Sequence, residues 1–516
     1  MTIMLTGTGA CAGAAARRLA RPVLAGPVLA GPVLAGPVLA GAVAAGLILG
    51  SAPALAAPAP ALVTVPCLVT ALTADLAAAA SGETLQLTPL CRYVLTTALP
   101  VITGNLTIQG NGATVERSYA AGTPDFAILT VLRSGDVDIQ RLNFRNGDSE
   151  YGGAIDSGGV PAEEATSTVT VTGGTFTGNT AEYGGAIFDN PGTTLTVRGA
   201  TFTGNSAGAG GGIYNSLDID PAGGDVTVLE VTGSTFTGNK GGGVDNAGSA
   251  TVTRDTFTRN TSGIYNETGG RIAVGDSDFS KNSRSGLLNE GIGSVTGSNF
   301  TGNSTPYLGG GIDNTSEGPT ELTVTGTSFT ENSAGEGGGG IYNYDAAQVT
   351  RDTFTGNTAP VGGGMDNEWY AVVANSTFRG NRASSDGGGL YNDCQATVSG
   401  GTFAQNRARS DGGGIDSADL YPSGCFHPSL ALTGSRVRGN VAGADGGGLY
   451  AAQFAGAPLE ESVTVTGSQV IANLAGGAGG GIYNFGGSPV SLTSAVVAGN
   501  LPGNCAPANS VPGCTG

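Results

Sequence analysis

Residues 329–343 read FTENSAGEGGGGIYN, and this stretch contains both halves of a unit that recurs along most of the chain. The first half is Phe-x-x-Asn, and the second is a glycine run followed by Ile-(Tyr or Asp)-Asn. A Val-x-Val segment such as 322–325 lies upstream. The first half begins at Phe176, Phe202, Phe236, Phe257, Phe279, Phe300, Phe329, Phe354, Phe378 and Phe403, and Val replaces Phe at Val437, Val470 and Val497.

The spacing of the repeat predicts a solenoid. Successive Phe positions are separated by 26, 34, 21, 22, 21, 29, 25, 24 and 25 residues, so one turn has a fixed minimum length to which loops are added. Thr, Val, Ile and Phe alternate with a period of two, which is typical of strands. Three short strands per turn would stack like residues about 4.8 Å apart in a parallel β-solenoid of about 15 coils. The 21-residue units are too short for propeller blades, and the nine-residue calcium-binding repeat is absent.

Composition narrows the class of protein. The 516 residues include 92 Gly, yet Gly does not recur at every third position, which excludes collagen. Only 12% of residues are charged and β-branched residues abound, which is atypical of disordered chains. With 22 Lys and Arg against 40 Asp and Glu the formal net charge is −18, so we expect no nucleic-acid partner.

Residues 1–56 have the pattern of a secretory signal peptide. Arg17, Arg18 and Arg21 form the basic region, residues 42–50 are apolar, and residues 54–56 are the small-residue cleavage pattern Ala-Leu-Ala. The alternative is an uncleaved anchor, but four prolines between residues 22 and 37 would interrupt a membrane-spanning helix. We therefore expect a secreted protein with no transmembrane segment once the signal is removed.

The rest of the chain divides into three parts on the same pattern. Residues 57–143 are predicted to form an N-terminal cap and the first coils, 144–500 the repeat helix, and 501–516 a C-terminal tail. Apolar residues at 68, 72, 76 and 79 have helical spacing, so a short helix over about 68–80 is expected to cover the first coil.

Six cysteines remain after the signal, in three neighbouring pairs. They allow 15 pairings, and their layout favours Cys67–Cys91, Cys394–Cys425 and Cys505–Cys514. The first pair would tie the capping helix to a strand, the second lies in consecutive coils, and the third would close the tail. This number of cysteines fits an oxidising, extracellular compartment.

The repeat resembles that of polymorphic outer-membrane proteins, whose signatures are Gly-Gly-Ala-Ile and Phe-x-x-Asn. Residues 152–155 and 184–187 both read Gly-Gly-Ala-Ile, and the resemblance extends from about Phe144 to Asn500. The chain is also similar to secreted right-handed parallel β-helix proteins of the pectin-lyase-like superfamily, whose opening coils residues 91–117 resemble. The resemblance implies a right-handed, all-β helix and a surface or secreted adhesin-like protein.

The residue after the Ile of each second half nearly alternates between aromatic and acidic. By strand alternation it is expected to point outwards. One interpretation is that the alternation spaces charges on a solvated sheet; the other is a stripe whose Tyr faces and Asp oxygens contact glycans. The ligand-contact candidates are Tyr214, Asp245, Tyr265, Asp313, Tyr342, Asp366, Tyr391, Asp416 and Tyr450, together with Trp369. Trp369 and Tyr370 form an aromatic pair beside the same corner, which is either a ligand contact or loop packing.

Acidic loops are expected to project from this corner, because the longest insertions all follow the same strand. They offer oxygen ligands for Ca²⁺, although no calcium-loop spacing is present and no cofactor is required. Solubility is the simpler interpretation. The acidic residues of these loops are Glu163, Glu164, Asp218, Asp220, Glu317, Asp419, Glu460 and Glu461.

Catalysis finds little support in the sequence. The lone histidine, His427, lacks flanking glycines, and the adjacent pairs Arg254-Asp255 and Arg351-Asp352 are interpreted as solvated ion pairs. We therefore expect a monomeric, secreted or cell-surface binding scaffold whose partner is a polysaccharide or a surface protein. The alternative is a polysaccharide lyase or glycoside hydrolase of pectin-lyase-like fold.

Overall fold

The computed structural model describes residues 61–132, 135–157, 167–217, 227–315, 321–418, 429–452, 462–486 and 489–515. The predicted signal at 1–56, Cys425, His427 and every acidic residue of the predicted loops lie outside these ranges. The described chain is a right-handed parallel β-helix, as predicted. Each coil runs through sheet 1, sheet 2 and sheet 3 before it rises to the next coil.

Sheet 1 contains the Val-x-Val segments, whose alternate side chains are buried because one face of the strand faces the interior. Its strands are Leu62–Val65, Glu83–Leu87, Leu106–Gln109, Asp136–Gln140, Ser167–Thr172, Thr193–Arg198, Val228–Thr232, Ser249–Thr253, Arg271–Gly275, Ile292–Thr296, Glu321–Thr325, Ala346–Thr350, Tyr370–Ala374, Gln395–Ser399, Ser429–Thr433, Ser462–Thr466 and Val490–Thr493.

Sheet 2 contains the Phe of each repeat, paired in register with the Phe of the next coil. From Phe144 to Phe403 neighbouring ring centroids lie 4.4 to 5.1 Å apart in one buried stack. The strands are Arg92–Leu95, Thr114–Arg117, Asn143–Arg145, Thr175–Thr177, Thr201–Thr203, Thr235–Thr237, Thr256–Thr258, Asp278–Ser280, Asn299–Thr301, Ser328–Thr330, Thr353–Thr355, Thr377–Arg379, Thr402–Ala404, Arg436–Arg438, Gln469–Ile471 and Val496–Ala498.

Sheet 3 contains the Ile-(Tyr or Asp)-Asn segments, and its Ile and Asn side chains are buried. Its strands are Leu129–Val131, Ile155–Ser157, Ile187–Asp189, Ile213–Asn215, Val244–Asn246, Ser262–Asn266, Ser285–Asn289, Ile312–Asn314, Ile341–Asn343, Met365–Asn367, Leu390–Asn392, Ile415–Ala418, Leu449–Ala452, Ile482–Phe485 and Cys505–Ala506.

The sequence did not predict the short strands between sheets 2 and 3. Asp148–Tyr151 pairs with Thr180–Tyr183, and further along the helix a row of two-residue strands forms sheet 4. These strands follow the Asn of Phe-x-x-Asn and precede the glycine run. Sheet 4 contains Ser304–Thr305, Ser333–Ala334, Thr358–Ala359, Arg382–Ala383, Arg407–Ala408, Val441–Ala442 and Leu474–Ala475.

Two asparagine ladders run along the interior corners. In the first, from Asn179 to Asn500, the backbone N–H and Nδ2 of each Asn donate to Oδ1 of the next, at 3.0 Å each for Asn332 to Asn357. In the second, Nδ2 of Asn343 donates to Oδ1 of Asn367 at 2.8 Å. A side-chain amide can continue such a ladder from coil to coil, because its NH2 group donates to one neighbour while its oxygen accepts from the other.

Both ends contain the predicted caps. The α-helix Val69–Ala78 buries Leu72 and Leu76 and contacts the strands Leu62–Val65 and Arg92–Leu95. The disulfides Cys67–Cys91 and Cys505–Cys514 join Cα atoms 5.6 and 6.3 Å apart, respectively. Cys394 is also disulfide-bonded, and its predicted partner Cys425 lies outside the described residues.

Candidate functional site

The row that follows the Ile of sheet 3 is not solvated, so the prediction of an exposed stripe is wrong for most of its members. We call these positions the outer row. Asp245, Asp366 and Asp416 are 2%, 3% and 1% exposed. Asp313, Tyr342 and Tyr391 are also buried, whereas Tyr214, Tyr265 and Tyr450 are half-buried.

The glycine run explains this burial. Gly338 has φ +66°, which folds the chain back over the strand that follows it, and a Cβ there would lie 2.6 Å from Cα of Tyr342. A Cβ on Gly337 would collide with Oδ2 of Asp366, so this backbone packs directly on that carboxyl group. Strand alternation points the outer row away from the Phe core, and the backbone of the glycine run then covers it.

Burial makes the outer-row carboxyl groups poor acids. It raises the pKa of Asp313 to about 7 and that of Asp245 to about 9, since a charged group loses its hydration there. Asp245 also hydrogen-bonds to Glu267, whose negative charge raises the pKa further. Among the described residues, Oδ1 of Asp245 and of Asp313 has no hydrogen-bond partner.

A second carboxyl cluster lies on the coils that follow. Burial raises the pKa of Asp366 well above its usual range, and the neighbouring Glu368 and Asp393 add to the effect. Burial and the charge of Asp393 raise the pKa of Glu368 to about 7. Glu368 therefore exchanges its proton near neutral pH, which is the range that general acid–base chemistry uses.

The tyrosines of the outer row are held by polar and aromatic contacts. The hydroxyl of Tyr265 donates to Oε2 of Glu290 at 2.8 Å, and that of Tyr391 donates to the carbonyl of Ala418 at 3.2 Å. Tyr450 stacks on Tyr483 with centroids 5.5 Å apart. The buried rings of Tyr342 and Tyr391 present no open face to a sugar.

The exposed aromatic surface lies one step further along the chain, where sheet 3 turns into sheet 1. Tyr344, Trp369 and Tyr370 are 51%, 42% and 41% exposed, and we call them the aromatic corner. The backbone N–H of Glu368 donates to the carbonyl of Asn343 at 2.8 Å, which places Glu368 one coil above Tyr344 and Trp369 one residue further along that coil. The sequence indicates Trp369 and Tyr370 as an aromatic pair beside this corner; it does not single out Tyr344, although Tyr344 too flanks the Asn corner.

The prediction that the pairs Arg254-Asp255 and Arg351-Asp352 are solvated is wrong for their two aspartates. Asp255 and Asp352 are each 1% exposed and lie in a buried row of mainly Ser and Thr. Oδ1 of Asp352 accepts the backbone N–H of Thr327 at 2.7 Å. Burial raises the pKa of each of these Asp residues to about 7. They are part of the stacking of coils and do not face solvent.

The described residues contain no group of three or more His, Cys, Asp or Glu arranged to hold a metal ion. No helix in the described part of the chain has the length and apolar character needed to cross a membrane.

The chain is similar to known β-helix and repeat proteins. The Chlamydia polymorphic membrane protein repeat matches at residues 326–344 and 375–393, each of which runs from a Phe-x-x-Asn to an Ile- or Leu-Tyr-Asn segment. The fold is similar to that of the periplasmic alginate epimerase AlgG, with 12% identity, 81% of this chain and 84% of that chain covered, and a TM-score of 0.30.

Tailspike protein 3 of bacteriophage CBA120 is a second structure of similar fold. It shows 10% identity and a TM-score of 0.30, and the comparison covers 84% of this chain and 60% of that chain. No curated protein sequence matches significantly.

Proposed function

We propose that the protein is a secreted or cell-surface binding scaffold, without catalysis, that contacts glycans at the aromatic corner. The carrying observation is that Tyr344, Trp369 and Tyr370 present exposed rings on consecutive coils. Stacked coils lie about 4.8 Å apart, so the rings offer an extended platform on which sugar faces can pack. Disulfides, the repeat match and the signal pattern at 1–56 support an extracellular location.

The platform is anchored from below by the second asparagine ladder. Nδ2 of Asn343 donates to the carbonyl of Tyr370 at 3.1 Å, and Nδ2 of Asn367 donates to that of Trp369 at 3.5 Å. These bonds fix the backbone that carries both rings. A rigid aromatic surface loses little conformational entropy when a ligand binds.

The test is retention of the protein on immobilised polysaccharides. The triple variant Tyr344→Ala, Trp369→Ala, Tyr370→Ala should lose at least about ten-fold in affinity, since each stacked ring contributes about 1 kcal/mol. Its control is Tyr119→Ala with Tyr307→Ala, which removes two exposed rings, 74% and 57% exposed, from other parts of the surface. Equal retention of the triple variant and this control would contradict the proposal.

A second candidate, a carbohydrate-active enzyme of pectin-lyase-like fold, is favoured by one observation. Glu368 has a pKa of about 7 and immediately precedes Trp369, so a group able to exchange a proton lies beside the platform. New reducing ends or unsaturated products from pectic, uronic or cell-wall polysaccharides would support it, provided that Glu368→Gln abolishes them. Retention without products supports the scaffold.

A further inference from the structure

A cluster of arginines lies on and beside sheets 2 and 4, before the glycine run of each coil. The aromatic corner lies after that run, so the arginines have no role in it. Six of the chain's 22 Lys and Arg lie within residues 379–438, although the whole chain has a net charge of −18. All six are exposed. We call them the arginine patch, and they are Arg379, Arg382, Arg407, Arg409, Arg436 and Arg438.

Strand register brings these arginines together. Arg382 pairs directly with Arg407 in sheet 4, so their Cα atoms are about 4.8 Å apart. Arg436 and Arg438 flank the buried Val437 in sheet 2 and therefore both point outwards. Arg379 lies in the same row as Arg438, with Ala404 between them.

The two sheets meet at the first asparagine ladder. Gly380 and the buried corner residue Asn381 lie between Arg379 and Arg382, so one row lies on each side of that corner. The patch thus extends over three consecutive coils of a rigid surface.

The arginines of the patch form no close ion pair with the acidic residues of the described chain. The ion pairs of the described residues involve Arg92, Arg117 and Arg198, and none includes an arginine of the patch. The nearest acids along the chain, Asp386 and Asp411, are bound elsewhere. Each accepts the backbone N–H of the Asp on the next coil, at 2.9 and 2.7 Å. Like charges paired directly across strands repel each other, so this arrangement costs stability unless an anion neutralises it.

The same rows are uncharged on the two preceding coils. The residues in register before Arg379 are Thr355 and Thr330, and those before Arg382 are Thr358 and Ser333. On those two coils the outward positions of both rows carry hydroxyl groups instead of charges. Arginine replaces these hydroxyl residues on three consecutive coils, whereas the earlier basic residues of the two rows, Arg145 and Lys240, lie on separate coils.

We propose that the arginine patch binds a linear glycan that carries regularly spaced anionic groups. Guanidinium groups bind carboxylate and sulfate in a bidentate manner, and coils about 4.8 Å apart space the arginines of a row to suit a glycan that lies along the helix axis. The acidic remainder of the molecule repels a bulky polyanion such as duplex DNA, whereas a thin glycan needs only the patch itself. This site is separate from the aromatic corner and does not depend on it.

The experiment measures binding of the full chain to heparin, polygalacturonate, neutral dextran and a short DNA duplex at about 20 mM salt. Heparin and polygalacturonate distinguish sulfate from carboxylate as the recognised anion, and binding of either supports the proposal. We expect binding to weaken steeply with added salt, since each contact displaces counterions. Dextran should not bind through the patch. DNA bound as tightly as the anionic glycans, or no binding to either glycan, would overturn the proposal.

Variants assign the binding to the patch. Arg382→Gln with Arg407→Gln should weaken glycan binding at least about ten-fold, and replacement of both by Lys, which keeps the charge but not the bidentate geometry, should restore only part of it. The charge-matched control is Arg254→Gln with Arg259→Gln, two exposed arginines outside the patch, which should change binding less than about two-fold. Equal losses in the two double variants would show net charge alone to be responsible. Trp369→Ala should leave this binding unchanged, which separates it from the proposed function.

Discussion

The first asparagine ladder and the outer row are both stacks of polar side chains buried along the same helix, yet they differ in chemistry. In the ladder, Oδ1 of Asn357 accepts both the backbone N–H and the Nδ2 of Asn332. In the outer row, Asp366 has a raised pKa, and its Oδ1 has no hydrogen-bond partner among the described residues. An amide satisfies its neighbours on both sides, whereas a carboxylate only accepts. One stack stabilises the fold, and the other makes it dependent on pH.

The largest expected effect comes from breaking the ladder. Asn332→Ala leaves the backbone N–H and Nδ2 of Asn303 without their acceptor and the carbonyl of Phe300 without its donor. Unsatisfied buried groups of this kind cost about 3 kcal/mol together. Chemical unfolding should show that loss, whereas Thr330→Ala on the same coil should change the free energy of unfolding by less than about 0.5 kcal/mol. A loss no larger than that of Thr330→Ala would contradict the role of the ladder.

The ladder and its coil could be predicted from sequence, while the burial of the outer row could not. Phe-x-x-Asn repeats at a fixed minimum spacing, so the stacking of Phe on Phe and Asn on Asn follows from period alone. Alternation correctly points Asp366 away from the Phe core. The fold-back at Gly338, which covers that side, depends on sheet 4, and two-residue strands have no sequence period to detect. The outward direction was therefore right and the expected exposure wrong.

The arginine patch and the aromatic corner differ in the same respect. Trp369 was noticed as an aromatic residue, but Tyr344 joins it only through the register of two coils. The pairing of Arg382 with Arg407 likewise needs the strand register, because 25 residues separate them along the chain. The sequence signal that would have found the patch is the concentration of arginine within 379–438 in a chain poor in basic residues.

The next-largest effect is expected when a carboxyl group of the outer row is replaced by an amide. Asp366→Asn removes a group that must lose its hydration to ionise, so the variant should be about 2 kcal/mol more stable than the natural chain at pH 8. The folded state keeps Asp366 protonated above the unfolded pKa of 3.8, so most of the advantage should be lost near pH 4, where a large part of the unfolded state is protonated too. Unfolding at both pH values measures it. The exposed Asp136→Asn should show no such gain, and an equal gain at pH 4 and 8 would contradict the charge mechanism.

The natural chain should itself be more stable in mild acid. The pKa of Asp255 and of Asp352 is raised to about 7, so between pH 4 and 7 the folded state holds protons that the unfolded state has lost. The free energy of unfolding should therefore fall as pH rises through this window and level off above it. Replacing both by Ser, the residue found at Ser277 and Ser376 in the same row, should flatten the slope by about 1.5 kcal/mol per pH unit. An unchanged slope would place the titrating groups elsewhere.

The smallest change in stability is expected for a substitution in the second asparagine ladder, where one position is already occupied by Ser instead of Asn. Ser417 accepts Nδ2 of Asn392 at 3.1 Å, which shows that a hydroxyl serves at this corner. Asn367→Ser should accordingly cost less than about 1 kcal/mol, far less than Asn332→Ala, because the shorter side chain still accepts from Asn343.

The change should nevertheless reach the aromatic corner. Nδ2 of Asn367 donates to the carbonyls of Trp369 and Gln395 at 3.5 and 3.0 Å, and Ser has no amide to replace these bonds. Retention on a neutral polysaccharide should fall measurably in the Asn367→Ser variant while its stability and its binding to heparin through the arginine patch stay nearly constant. A loss of stability as large as that of Asn332→Ala would mean that the two ladders contribute equally and that the second ladder has no separate role in holding the rings. If the variant lost both heparin binding and retention on the neutral polysaccharide, both surfaces would depend on the same coil geometry.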